Sequence, residues 1–199
     1  MDNRLRYFID LLIVTCDPPK EPLTISEVVS FEASRLGNLG DVISIAKVDF
    51  DSRNWNCGGI PGLDFGGGGA VGLNTIGMLV DRLSILIIKK TIHKSGADQT
   101  LSRQIDEMVW AIENCKTGFS STFNKITNSQ SENELAHVVD IALLLAFVNL
   151  LLWMAQDVLY LRGAGSLANE ELRAYIDYFA KKNIIRNQLI SRLALYWHI

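Results

Sequence analysis

Two polar side chains near the C-terminal end stand where a helix would be expected to turn an apolar face inward. The series Leu172, Ile176, Phe179, Asn183, Arg186, Ile190, Leu193, Trp197 alternates steps of four and three, the spacing of a seam that faces a helical interior. Asn183 and Arg186 sit in its middle. A guanidinium in that position needs a partner, because a buried unpaired charge is costly. Two kinds of chemistry supply one. Arg186 can hold the carboxylate or phosphate of a ligand bidentately, or it can close an internal ion pair that sets helix register.

Partners are present in two other apolar segments. In "IALLLAFVNLLLWMAQDVLY" the residues Asn149, Trp153, Gln156 and Tyr160 share one helical face, with Asp157 beside it. In "MLVDRLSILIIKK" the apolar run is broken by Asp81, Arg82 and Lys89, and Asp81, Ile85 and Lys89 stack at spacings of four. If the three segments face one another, Asp81, Asn149, Asp157, Asn183 and Arg186 form a polar knot inside. In a ligand pocket Arg186 would take the anion, Asn183 and Asn149 would bond hydroxyls, and Asp157 would act as base or orienter. Arg82, Lys89 and Asn187 complete that candidate ligand-binding set. In the structural alternative the same residues satisfy one another.

These segments resemble the recurring signature of uncharacterised bacterial all-helical domains, some encoded beside glycosyltransferase and cell-surface sugar genes. The likeness rests on Val80 to Lys89, on Asn149, Leu152, Trp153 and Asp157, and on Asn183, Arg186, Asn187, Leu189 and Ile190. It covers about residues 73–199 and implies that Asp81, Asn149, Trp153, Asp157, Asn183 and Arg186 belong together, without implying an activity. Where the family pattern has a Glu-Asp pair followed by Arg, this chain has Gln156 and Asp157 followed by Tyr160.

Other motifs carry less. Eight of the fifteen glycines fall between Gly58 and Gly72, and Gly67, Gly69 and Gly72 fit GxGxxG ahead of a helix. A dinucleotide or P-loop site needs a strand running into the glycines and an acid or a GK[ST] after them, and both are missing. The loop therefore reads as a lid or a hinge. Glu134 and His137 form an ExxH pair without the second pair that a di-iron site requires, so no metal is expected, while the identity of any cofactor stays open. Cys57 lies among glycines with no basic neighbour to activate it. Arg192 and His198 have the loose spacing of helical ribonuclease domains, but a net charge of -3 offers no footprint for RNA or DNA.

The elements that position these residues read as mainly α. Thr24 and Glu27 make a capping box for a helix over 25–36, closed by Gly37. Residues 1–15 form a short helix or a strand, and 41–51 alternate like a strand or an extended arm. Helices then follow from a cap at Asn74 or Thr75 to about 93, from Thr100 or Ser102 to 118, over about 132–161, and from Ser166 or Asn169 to about 196, with Gly163 and Gly165 ending the third of these. The expectation is an antiparallel bundle of about four long helices over 73–199, behind an N-terminal arm and Gly-rich loop over 1–72.

Residues 141–155 are apolar all round but span fifteen positions, short of the about 20 a bilayer needs, so a buried core helix is expected and no membrane partner. Burying it on every side asks for more helices than one small bundle holds, which points to a homo-oligomer. Cys16, Cys57 and Cys115 show no CxxC spacing, and Asp10 interrupts the N-terminal apolar run before any cleavage site. A cytoplasmic protein with a possible small anionic ligand is expected. The competing class is a non-catalytic oligomeric scaffold or accessory subunit.

Overall fold

The computed structural model describes residues 3–18, 24–36, 76–92, 99–114 and 132–196. The expected arm at 41–51, the glycine run up to Gly72, Cys57, Cys115 and His198 lie outside the described residues, as do the side chains of Glu134 and His137. Six α-helices and one short 3-10 turn make up the described elements, with no strand among them. They are α1 (Asn3–Thr15), α2 (Ile25–Leu36), α3 (Ile76–Ile92), α4 (Gln99–Asn114), α5 (Glu132–Arg162) and α6 (Asn169–Tyr196), with the turn Ala164–Ser166 before α6. The protein is mainly α, and the choice between helix and strand for the first segment falls to helix.

Local chemistry sets the ends. At the start of α2 the Glu27 amide donates to Thr24 Oγ1 at 3.2 Å, and the Thr24 hydroxyl donates to the Glu27 carboxylate at 3.2 Å. This satisfies one of the amides that a helix N-terminus leaves open. At the C-terminal end of the longest described helix, α5, Gly163 takes φ 75° while its amide closes on Leu159 O at 2.8 Å. Ser166 Oγ then donates to Gly163 O at 2.9 Å, and Arg162 pairs with Glu171 across the turn.

A Cβ at Gly163 would meet nothing within 4 Å, so any penalty for a side chain there is a backbone penalty. Gly163→Ala is expected to lower stability by about 1 kcal/mol, a fall of roughly 2–4 °C in Tm by calorimetry, and an unchanged Tm would contradict this.

Helix α5 occupies the centre. Its residues 141, 142, 144–148, 150–152, 154, 155 and 158 are apolar and buried, and it is packed by α1, α2, α3 and α6. Leu12 and Cys16 of α1 and Ile25 and Val28 of α2 belong to the same core, and the Phe31 and Phe147 rings lie 6.0 Å apart. A helix that is apolar on every side must be surrounded. The chain's own helices do this, so α5 creates no need for a second copy. By length and composition Asp140–Arg162 is the only described helix fit to cross a membrane, and 78% of its apolar window is buried inside the fold.

Helices α3, α5 and α6 each touch the other two, and α4 packs along α3. Their directions follow from the contacts. Gly77 meets Ile190 and Asp81 meets Arg186, so α3 and α6 run in opposite senses. Asp81 meets Asn149 and Lys89 meets Trp153, so α3 and α5 run in the same sense. The three-way junction of α3, α5 and α6 is where the polar residues gather.

A buried polar junction as candidate functional site

Each of the three helices contributes one strongly polar group to the junction. Asp81, buried on α3, accepts from Arg186 of α6 through both carboxylate oxygens, Nε to Oδ1 at 2.8 Å and Nη2 to Oδ2 at 2.5 Å. Asn149, buried on α5, donates to Asp81 Oδ1 at 2.9 Å and to Ser84 Oγ at 2.8 Å. Ser84 in turn donates to the Asp81 carbonyl at 2.8 Å. A side-on bidentate pair matches the fork of the guanidinium to the carboxylate and neutralises both charges where water is scarce. The arrangement is a hydrogen-bonded ion pair with an amide buttress.

The apolar setting explains why these residues meet. Asp81 is flanked by Leu79, Val80 and Leu83, and Asn149 by Val148, Leu150 and Leu151, all buried. Neither polar group can turn to solvent without rotating its whole helix out of the core. The close approach of α3 to α6 is set by Gly77, one turn before Asp81, where a Cβ would lie 2.2 Å from Ile190 O. This last glycine of the segment that runs from the Gly-rich stretch into α3 is thus a packing residue.

The other members of the expected set lie elsewhere. Arg82 is exposed on α3, and Asn187 is exposed on α6. Asn183 is half-buried and donates to Phe179 O of its own helix at 3.0 Å, so its amide is used locally. Lys89 sits 5.8 Å from the centre of the Trp153 ring, a cation over an aromatic face. Asp157 is partly exposed, two turns beyond Asn149 and therefore about 12 Å further along the axis. Of the five residues expected in the knot, Asp81, Asn149 and Arg186 are joined, and Ser84 joins them without having been expected.

The seam drawn on α6 is corrected in its first half. Ile176 is 58% exposed, whereas Tyr175, Leu189 and Leu193 are buried and Tyr178, Lys182 and Arg186 line the inner side. The reason is a second polar cluster that spacing did not reveal. Glu32 of α2 pairs with Lys182 and accepts from Tyr178 Oη at 2.9 Å, and Lys182 Nζ lies 5.1 Å from the Tyr178 ring centre. Burial, the Glu32 charge and this hydrogen bond push the Tyr178 hydroxyl above the usual tyrosine range. Glu32 looks in the sequence like any solvated helix acid, so only the packing of α2 on α6 identifies it.

Cys16 is buried, and burial pushes its thiol up to about 12. A thiol held neutral in this way is a packing group, not a nucleophile. Among the described residues no group of three His, Cys, Asp or Glu side chains comes together as metal ligands. Comparison of the chain with known protein families, with curated proteins and with solved structures finds no match.

Proposed function

We propose that this protein is a non-catalytic helical scaffold or accessory subunit, soluble and cytoplasmic, in which the polar junction is a structural clasp. In this view α3 to α6 form a four-helix bundle of alternating direction whose register the clasp sets. One observation carries the reading: both oxygens of Asp81 are taken by Arg186, with Asn149 sharing Oδ1. The cation that an anionic ligand would need already holds an internal anion. A ligand that took the same two guanidinium nitrogens would have to displace Asp81 and leave its carboxylate buried without a counter-charge, which is strongly unfavourable.

A second reading is favoured by the geometry of the same pair. The contact uses Nε and Nη2, which leaves Nη1 on the outer edge of the guanidinium, and 27% of the Arg186 side chain is exposed. A sugar phosphate or nucleotide sugar could approach along that edge without breaking the clasp.

A thermal-shift screen of nucleotides, sugar nucleotides, inorganic phosphate and divalent metals separates the two. A ligand present at 100 times its Kd stabilises by about 2.7 kcal/mol, or roughly 5–10 °C for a chain of this size. The scaffold reading expects no shift above about 1 °C at millimolar ligand, well below that scale. A larger shift that disappears in Arg186→Lys would transfer the assignment to anion binding.

A further inference from the structure

Helix α2 is joined to the other described helices by two unlike contacts. On one side Ile25 and Val28 enter the core, and the Phe31 ring lies 6.0 Å from that of Phe147 on α5. On the other the Glu32 carboxylate reaches α6, one oxygen pairing with Lys182 Nζ and the other accepting from Tyr178 Oη at 2.9 Å. The Tyr178 hydroxyl, held above the usual tyrosine range, keeps its proton for that bond. Positions 25, 28 and 32 fall on one stripe of the helix, and the third of them is an acid. The docking stripe thus ends on a charge, where an apolar residue would have needed no particular partner.

That charge is well removed from water, since the side chains of Glu32 and Lys182 are only 15% and 12% exposed. Intact, the pair grips; with either member gone, the other is left stranded. The apolar part of the contact is small by comparison. Over the 12 residues of α2, Ile25 and Val28 are buried while Ser26, Val29, Ser30, Ala33 and Ser34 face solvent. Ordering a helix costs conformational entropy at every residue, which so short an apolar stripe offsets only in part. The junction of α3, α5 and α6 is closed by Asp81, Asn149 and Arg186, and α2 supplies none of them.

We infer that α2 is a strap that lifts off α5 and α6 as a unit while the junction of α3, α5 and α6 stays closed, and that Glu32 is its latch. Lifting bares Lys182 and Tyr178, on successive turns of α6, together with the side of the Phe147 ring that faces Phe31. A cation, a phenol hydroxyl and an aromatic ring are shown to solvent only when the strap is up. The device goes beyond the scaffold reading and stands without it, because it rests on the contacts of α2 alone.

Hydrogen exchange of the full chain, followed by mass spectrometry on peptides covering 25–36, 76–92 and 141–158, tests the strap. The α2 amides are expected to exchange at least about tenfold faster than those of α3 and α5, because local opening requires less free energy than global unfolding. Glu32→Gln, checked for native helicity by circular dichroism, is expected to speed α2 by about a further tenfold and to leave α3 and α5 within about twofold of their former rates. Glu32→Leu combined with Lys182→Leu replaces the latch by an apolar contact and is expected to return α2 to the wild-type rate or below it. Equal rates for α2 and α5 in the wild-type chain overturn the inference, since α2 would then open only when the whole fold does. A Glu32→Gln chain in which all three helices speed up alike overturns it as well. A double variant whose α2 exchanges as fast as in Glu32→Gln overturns the assignment of the pair as the latch.

Discussion

Arg186→Ala is expected to lower the free energy of unfolding by about 3–5 kcal/mol, measured by urea denaturation with helicity as the signal. The magnitude comes less from the lost attraction than from what remains. Asp81 would keep a single donor, Asn149, in an apolar setting between Leu79, Val80 and Leu83. Asp81→Ala should cost less, about 2 kcal/mol, because Arg186 is 27% exposed and long enough to turn its guanidinium into water. The asymmetry between the two is itself a test. Replacing both by apolar residues, Asp81→Leu with Arg186→Met, should be milder than the sum of the single losses, with a coupling above about 1 kcal/mol. If Arg186→Ala changed stability by less than about 0.5 kcal/mol, the pair would carry no structural weight and the guanidinium would be available to a ligand.

Gly77→Ala is expected to destabilise by about 2–3 kcal/mol even though alanine is the better helix former by about 1 kcal/mol. The two effects oppose each other, and the close contact wins. The added Cβ would stand 2.2 Å from the Ile190 carbonyl oxygen and 3.0 Å from its carbon, and these backbone atoms cannot rotate away. Helices α3 and α6 must separate by roughly 1 Å to reach ordinary contact distances. Asp81 and Arg186 lie one turn from that contact, so the separation also lengthens the clasp. Gly77→Ala combined with Arg186→Ala should consequently cost less than the two added together. A stabilised Gly77→Ala variant, seen as a higher urea midpoint, would show that helix propensity outweighs packing here.

Helix α6 is oriented by polar contacts with two other helices. Its inner side is held by Asp81 of α3 and Glu32 of α2, which pair with Arg186 and Lys182 one turn apart. Those two contacts fix how α6 is rotated. Rotation then decides that Ile176 and Ile184 face outward and that Tyr175 and Leu189 face inward.

Much of the fold could be read in one dimension because its causes are local. A threonine three residues ahead of a glutamate starts α2 where the capping hydrogen bonds need it, and a glycine able to take φ 75° ends α5. Likewise, an aspartate inside "MLVDRLSILII" and an asparagine inside "LLLAFVNLLLW" announce themselves by contrast with their neighbours, since only a partnered polar group survives there. Asp81 and Asn149 were legible for that reason.

Contrast is what α6 lacks. Polar and apolar residues are mixed around its whole circumference, so spacing alone left its rotation open, and the seam through Ile176 and Asn183 was drawn to one side of the true one. Its phase is settled by partners more than a hundred positions away, Asp81 and Glu32, which no pattern within the helix contains. The same holds for α5. Its apolar surface declared that it must be surrounded, but whether by helices of its own chain or by those of another is a matter of how α1, α2, α3 and α6 close around it. Composition and spacing determine which faces need partners; only packing in three dimensions decides which partner each face receives, because burial rewards any apolar or charge-matched neighbour regardless of its distance along the chain.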